Sequence, residues 1–139
     1  MKILLSIKPE YANKILTGEK KFEFRKIGFN NKKINTVVIY ATKPVGKVIG
    51  EFEVLEVHSG APKTIWEKTK RHAGIDKIFF DSYYNGRSKA FAIAVGDVTR
   101  YEEPVELNEI RPGLTPPQSF CYLSKQENLQ AELEFPIEG

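Results

Sequence analysis

Gly18-Glu19-Lys20-Lys21-Phe22-Glu23-Phe24-Arg25-Lys26 is the stretch on which the reading of this chain turns. A glycine able to end a helix leads into four cations and two carboxylates set around two aromatic rings. Run as a strand, the side chains alternate, so Phe22 and Phe24 share the inward face and Lys21, Glu23 and Arg25 share the other. A carboxylate between two cations is internally paired, holds them in place, and leaves net positive charge to offer an anionic ligand. The alternative is a solvated strand face whose charges keep a sheet edge soluble.

Upstream, Ile3 to Ile7 is an apolar run of strand length that stops at Lys8-Pro9. Proline suits the first helical position, Glu10 complements the positive end of the dipole, and Tyr11, Ala12, Ile15 and Leu16 fall on one face. The spacing predicts a helix over 9–17, with Gly18 as its left-handed stop. Downstream, residues 27–34 form a basic loop with Lys32 and Lys33, in which Phe29 either anchors the loop to the core or offers a stacking face to a base. Thr36 to Ala41 is β-branched and nearly continuous in apolarity, which predicts a central strand. Val48 to Val57 predicts a long strand with a bend or bulge at Gly50.

Pro62 to Gly74 has the start and stop signals of a second helix, and its basic cluster suits the negative helix end. Asp76 is placed to cap a third helix carrying Ile78, Phe79, Phe80, Tyr83 and Tyr84, aromatics expected mostly in the core. Ala90 to Val95 predicts another buried strand, leading through Val98 to Tyr101. Val105, Leu107 and Ile110 are expected to continue the acidic edge of Glu102, Glu103, Glu106 and Glu109. Proline-started helical turns are expected over 116–123 and a last strand over 129–135.

The 139 residues suit one domain, 1–139, with 124–139 as a C-terminal extension or last strand. Net charge is +3, but residues 1–50 hold eleven Lys/Arg against three Glu, whereas the rest is acidic. A basic front half points to an anionic partner. The single cysteine, Cys121, excludes an intrachain disulfide and suits a reducing compartment. No apolar stretch approaches the roughly 20 residues of a membrane span, so a cytoplasmic protein with no membrane partner is expected. Metal-ligand spacing and Gly-rich phosphate loops are absent, and no metal or cofactor is expected. His58, His72 and Cys121 read as structural or solvated.

The signature Gly18-x-Lys20-x-x-Glu23-x-Arg25, with Leu5 to Ala12 ahead of it, resembles the ASCH domain, a PUA-like family. The likeness continues through Ile39 to Pro44, Val48 to Phe52 and Pro116 to Phe120, so it runs in order over most of the chain. It implies an α+β fold, a PUA-like small mixed β-barrel with flanking short helices, and a basic cleft for RNA. Some relatives are hydrolases. In the acetylcytidine amidohydrolases of this superfamily a lysine at the position of Lys20 and a threonine at the position of Glu23 act with a further glutamate. Here the lysine is matched, Glu23 replaces the threonine, and the further glutamate is not placed.

The expected ligand is single-stranded RNA or a nucleotide-like molecule. Lys8, Lys20 and Arg25 are expected on phosphate or base edges, Glu23 orienting Arg25 or a base amine, and Tyr40 or Thr42 lining the floor. An enzyme acting on RNA or a modified nucleoside would use Lys20 and Glu23 as its catalytic pair. A protein-interaction module, using the acidic stretch 102–109 and the tail, is the remaining alternative.

Overall fold

The computed structural model describes residues 1–29, 31–124 and 127. Its frame is a six-stranded mixed sheet in the order β2-β5-β4-β3-β1-β6. The strands are β1 (Lys2–Ile7), β2 (Phe22–Arg25), β3 (Thr36–Ala41), β4 (Lys47–Gly60), β5 (Ala90–Val105) and β6 (Cys121–Leu123). The helices are α1 (Pro9–Leu16), α2 (Pro62–Thr69), α3 (Lys77–Tyr83) and the single turn α4 (Leu107–Ile110). The α+β class is as expected, with the sheet curved rather than closed into a ring among the described strands. Bulges along the β4–β5 pairing, and one between Ile39 and Tyr40 opposite Val48 and Gly50, supply that curvature.

β1 and β3 pair in parallel, so the chain must cross over between them, and α1, β2 and the basic loop make that crossing. Both strands are buried on two faces, which explains their unbroken apolar runs. Ile3, Leu5, Ile7, Val37 and Ile39 pack with Ile15 and Phe52 in one core, whereas Leu4, Val38 and Tyr40 pack with Val48 and Tyr101 in another. A third cluster joins Phe24 of β2 to Ile65 of α2 and to Phe80 and Tyr84 at α3.

α1 begins at Pro9 and buries Ala12, Ile15 and Leu16. Gly18, at φ +86°, lets the chain reverse, and the Lys20 amide then returns to the Lys14 carbonyl at 2.9 Å. α3 is capped as expected, the Asp76 carboxylate accepting from the Phe79 amide at 2.8 Å. Phe29 anchors its loop, packing on the first core and against Phe120 at 6.1 Å between ring centroids.

Several expectations are corrected. Of the aromatics in and beside α3, Phe80 and Tyr84 are core and Tyr83 packs half-buried against them, so the exception is Phe79 at 36% exposed, beside Ile78 at 82%. Residues 107–110 turn as a helix rather than continuing the strand, because Glu106 and Glu109 form a reciprocal capping box. β5 is longer than 90–95 and runs to Val105. Residues 116–123 form no helix: consecutive prolines bar the helical region to the residue before each, and the chain instead ends in β6 against β1. The last strand expected over 129–135 lies outside the described residues, as does nearly all of the 124–139 extension.

Candidate functional site

A cavity of about 230 Å³ opens where β1, α1, β2 and α3 meet. Its charged wall is Lys8, Lys20, Glu23 and Arg25, and its rings come from Tyr11, Phe24, Phe79 and Tyr83.

Lys20 is the unusual group. Its side chain is 1% exposed, and its ammonium donates to the Ala73 carbonyl at 2.7 Å. The nitrogen also lies 4.6 Å from the Phe24 ring centroid and 5.6 Å from that of Tyr11, inside cation–π range. Gly74 makes room for it: a Cβ on this residue, at φ +71°, would stand 2.5 Å from Lys20 Cβ and Cγ. Burial pulls the Lys20 pKa down to about 8; the Glu23 carboxylate works the other way, and Lys14 adds to the lowering. Among the described residues, no carboxylate lies within ion-pair distance of the Lys20 nitrogen.

Glu23 is 6% exposed and is held by Arg25, whose Nη1 donates to Oε2 at 3.1 Å. The same Nη1 donates to the Ser6 carbonyl at 3.2 Å, and Nη2 donates to the Ser119 carbonyl at 3.1 Å. One guanidinium thus ties β1, β2 and the segment before β6 together. Ser6 reinforces the tie, its hydroxyl donating to the Pro117 carbonyl at 2.8 Å. Beneath, the Tyr84 hydroxyl donates toward the carbonyls of Arg25 at 2.9 Å and Phe91 at 3.2 Å, which fixes the end of β2.

The outer wall is aromatic. Phe79 and Tyr83, four residues apart on α3, lie nearly parallel at 14° with centroids 6.3 Å apart, and Phe79 also meets Tyr11 at 5.6 Å. Lys8 sits 5.7 Å from the Phe79 centroid and Lys26 4.7 Å from that of Tyr83. Burial raises the pKa of the Tyr83 phenol, so it stays a neutral donor.

The family model for the ASCH domain matches residues 5–114, more than half of the chain and every residue that lines the cavity. The chain belongs to the ASCH domain family. An ASCH domain-containing ribonuclease of Zymomonas mobilis is 32% identical to this ASCH chain over 130 residues, covering 89% of it and 85% of the relative. The crystal structure of ASCH from the same organism superposes with a TM-score of 0.83 at 32% identity, covering 90% of this chain and 89% of that one. The large ribosomal subunit protein uL22 of Ureaplasma parvum is 34% identical over 122 residues, which cover 87% of this chain and 39% of that protein. The ASCH chain therefore spans about two fifths of the length of that relative.

Within the ASCH cavity the structure brings together Lys8, Lys20, Glu23 and Arg25 of the residues singled out from sequence. It does not bring Tyr40 or Thr42 there. Tyr40 points into the core with Val48 and Tyr101, and Thr42 begins the turn after β3, its amide donating to the Ile7 carbonyl at 3.0 Å. Sequence reasoning missed Ala73 and Gly74 as the seat of Lys20, and missed Tyr11, Phe79 and Tyr83 as walls. The i, i+4 spacing of Phe79 and Tyr83 was the available signal.

Elsewhere, His58 pairs with Glu56 at 3.3 Å, and His72 accepts the Lys21 amide on its backbone carbonyl. No group of three or more potential metal ligands occurs among the described residues, and none of their helices is long and apolar enough to cross a membrane.

Proposed function

We propose that this ASCH chain binds single-stranded RNA and takes one nucleotide unit into the Lys20 cavity. The observation that carries the reading is the buried Lys20 ammonium, held by one carbonyl and two rings and facing an open cavity without an ion-pair partner. Burying a cation costs several kcal/mol. A chain that keeps one at the floor of a cavity offers its remaining donors to a ligand.

The dimensions and walls agree. About 230 Å³ falls below the ~300–1,000 Å³ of sites for drug-sized ligands, which suits a single base or nucleoside. Tyr11, Phe79 and Tyr83 supply ring faces for an unstacked base, the feature that single-stranded RNA offers and a duplex does not. Lys20 donates to a base or ribose acceptor, and Glu23 accepts from a base amine. Lys8 and Lys26, at the outer rings, supply charge for the phosphates on either side. Arg25, with its fork already committed to Ser6, Glu23 and Ser119, holds Glu23 in place.

RNA cleavage is the second reading, favoured by the Lys20 pKa of about 8 and by the name ribonuclease carried by the Zymomonas relative. An amine titrating near working pH can both take and return a proton, and Glu23 shares its cavity. End-labelled single-stranded RNA incubated with the protein at pH 8 in the presence of a metal chelator separates the two. A retarded, intact RNA supports binding alone, and shortened products lost in Lys20→Met support cleavage. Neither retardation nor products at low salt would reject both.

A further inference from the structure

We propose that Lys20 is a carbonyl-reactive amine, and that the cavity accepts small aldehydes on an aromatic or nucleoside-sized frame as imines of its Nζ. The inference stands on the seat of the side chain and holds whether or not RNA is the ligand.

Lys20 is the one buried lysine among the described residues, and it lines the cavity. Its nitrogen is aimed by a single strong donor contact to Ala73, which leaves the rest of its valence for the cavity. Glu23, whose charge opposes the lowering by burial, is engaged by Arg25 and forms no ion pair with the nitrogen. Rings at 4.6 and 5.6 Å surround it. They would flank the flat frame of an aromatic aldehyde as readily as a base. A lysine desolvated among apolar groups is the general arrangement for amine nucleophiles.

The step balances without an added oxidant or reductant. The neutral nitrogen donates its lone pair to the carbonyl carbon, forming a C–N bond while the C=O π electrons move to oxygen. A proton leaves nitrogen and, relayed by solvent in the open cavity, reaches that oxygen to give a carbinolamine. Loss of water then leaves the C=N bond. Near pH 8 about half of Lys20 is neutral, against under about 1% for a solvent-exposed lysine of ordinary basicity.

The test treats the full chain at pH 8 with benzaldehyde and cyanoborohydride, which reduces the iminium and fixes it as a secondary amine. Peptide mass spectrometry then gives the rate at every lysine, so the exposed lysines serve as internal controls and no variant needs to fold. Labelling of Lys20 at least about tenfold faster than of any other lysine is expected. Labelling no faster than the exposed lysines overturns the proposal. Repeating the reaction with a single-stranded RNA oligomer addresses the RNA reading separately: an unprotected but fast Lys20 keeps the imine and removes RNA from this cavity.

Discussion

The Lys20 ammonium and the Ala73 carbonyl, 53 residues apart in sequence, meet at 2.7 Å. That bond sets a cation from the α1–β2 turn against the segment leading into α3, and so closes the floor of the cavity.

The burial of Lys20 makes the stability of the fold depend on pH in a defined direction. Folded Lys20 releases its proton near pH 8 and the unfolded chain near 10.5, so between those values the unfolded state holds the extra proton. Stability therefore rises with pH across that window, and the burden of the buried charge is fully present below it. Relative to Lys20→Met, the wild-type chain is expected to gain roughly 2–3 kcal/mol of unfolding free energy between pH 7 and pH 10. Urea titrations of both proteins at the two pH values measure this. A difference that does not change with pH would show that Lys20 is not desolvated.

Arg25→Ala removes donors from Glu23, Ser6 and Ser119 at once and leaves a nearly buried carboxylate alone. A loss of about 3 kcal/mol is expected. Adding Glu23→Gln should recover part of it, because the orphaned charge is gone. Denaturant midpoints for the two single variants and the double variant give the coupling, and strict additivity would contradict the pairing.

Gly74→Ala meets two obstacles, a left-handed backbone and the Lys20 stem. Together they are expected to cost about 2–3 kcal/mol in thermal or chemical unfolding. In Gly86→Ala the strain alone operates, since its positive φ faces open space, and a smaller loss is expected. Equal losses would mean that Lys20 does not pass against Gly74.

Phe79→Ala is expected to weaken RNA affinity by about 1–3 kcal/mol, the scale of one base–aromatic stack, with little change in melting midpoint because this ring is 36% exposed. Tyr84→Phe should do the reverse, losing about 1 kcal/mol of stability with its hydrogen bonds to Arg25 and Phe91 and leaving binding nearly intact. Binding isotherms and melts on both variants test the division of labour.

Much of this arrangement is legible locally. Pro9, Glu10 and Gly18 mark the bounds of α1, and the i, i+2 alternation puts Glu23 and Arg25 on one face, where they pair. Tyr40 shows where local reading ends. β3 is apolar on both faces, so the run itself does not say which core a given residue enters, and the parallel pairing with β1 decides it. The charged strip of β2 reads from sequence either as an internally paired face or as a solvated one; Glu23 and Arg25 are covered and tied to Ser6 and Ser119 by distant segments, whereas Lys21 stays exposed. Pro116-Pro117 reads as a helix start in isolation, whereas the open edge of β1 recruits the residues that follow as β6.

Fluorescence anisotropy of a short labelled single-stranded RNA, titrated over salt with wild-type protein and with Lys20→Met, tests the central claim most directly. A site engaging about three phosphates is expected to give a log-log salt slope of roughly −2. Lys20→Met, folded by its melting curve, is expected to bind at least about tenfold more weakly, the loss of one charge-assisted contact. Equal affinity in the two proteins, or no binding by wild type at low salt, would contradict the account of the Lys20 cavity as an RNA site.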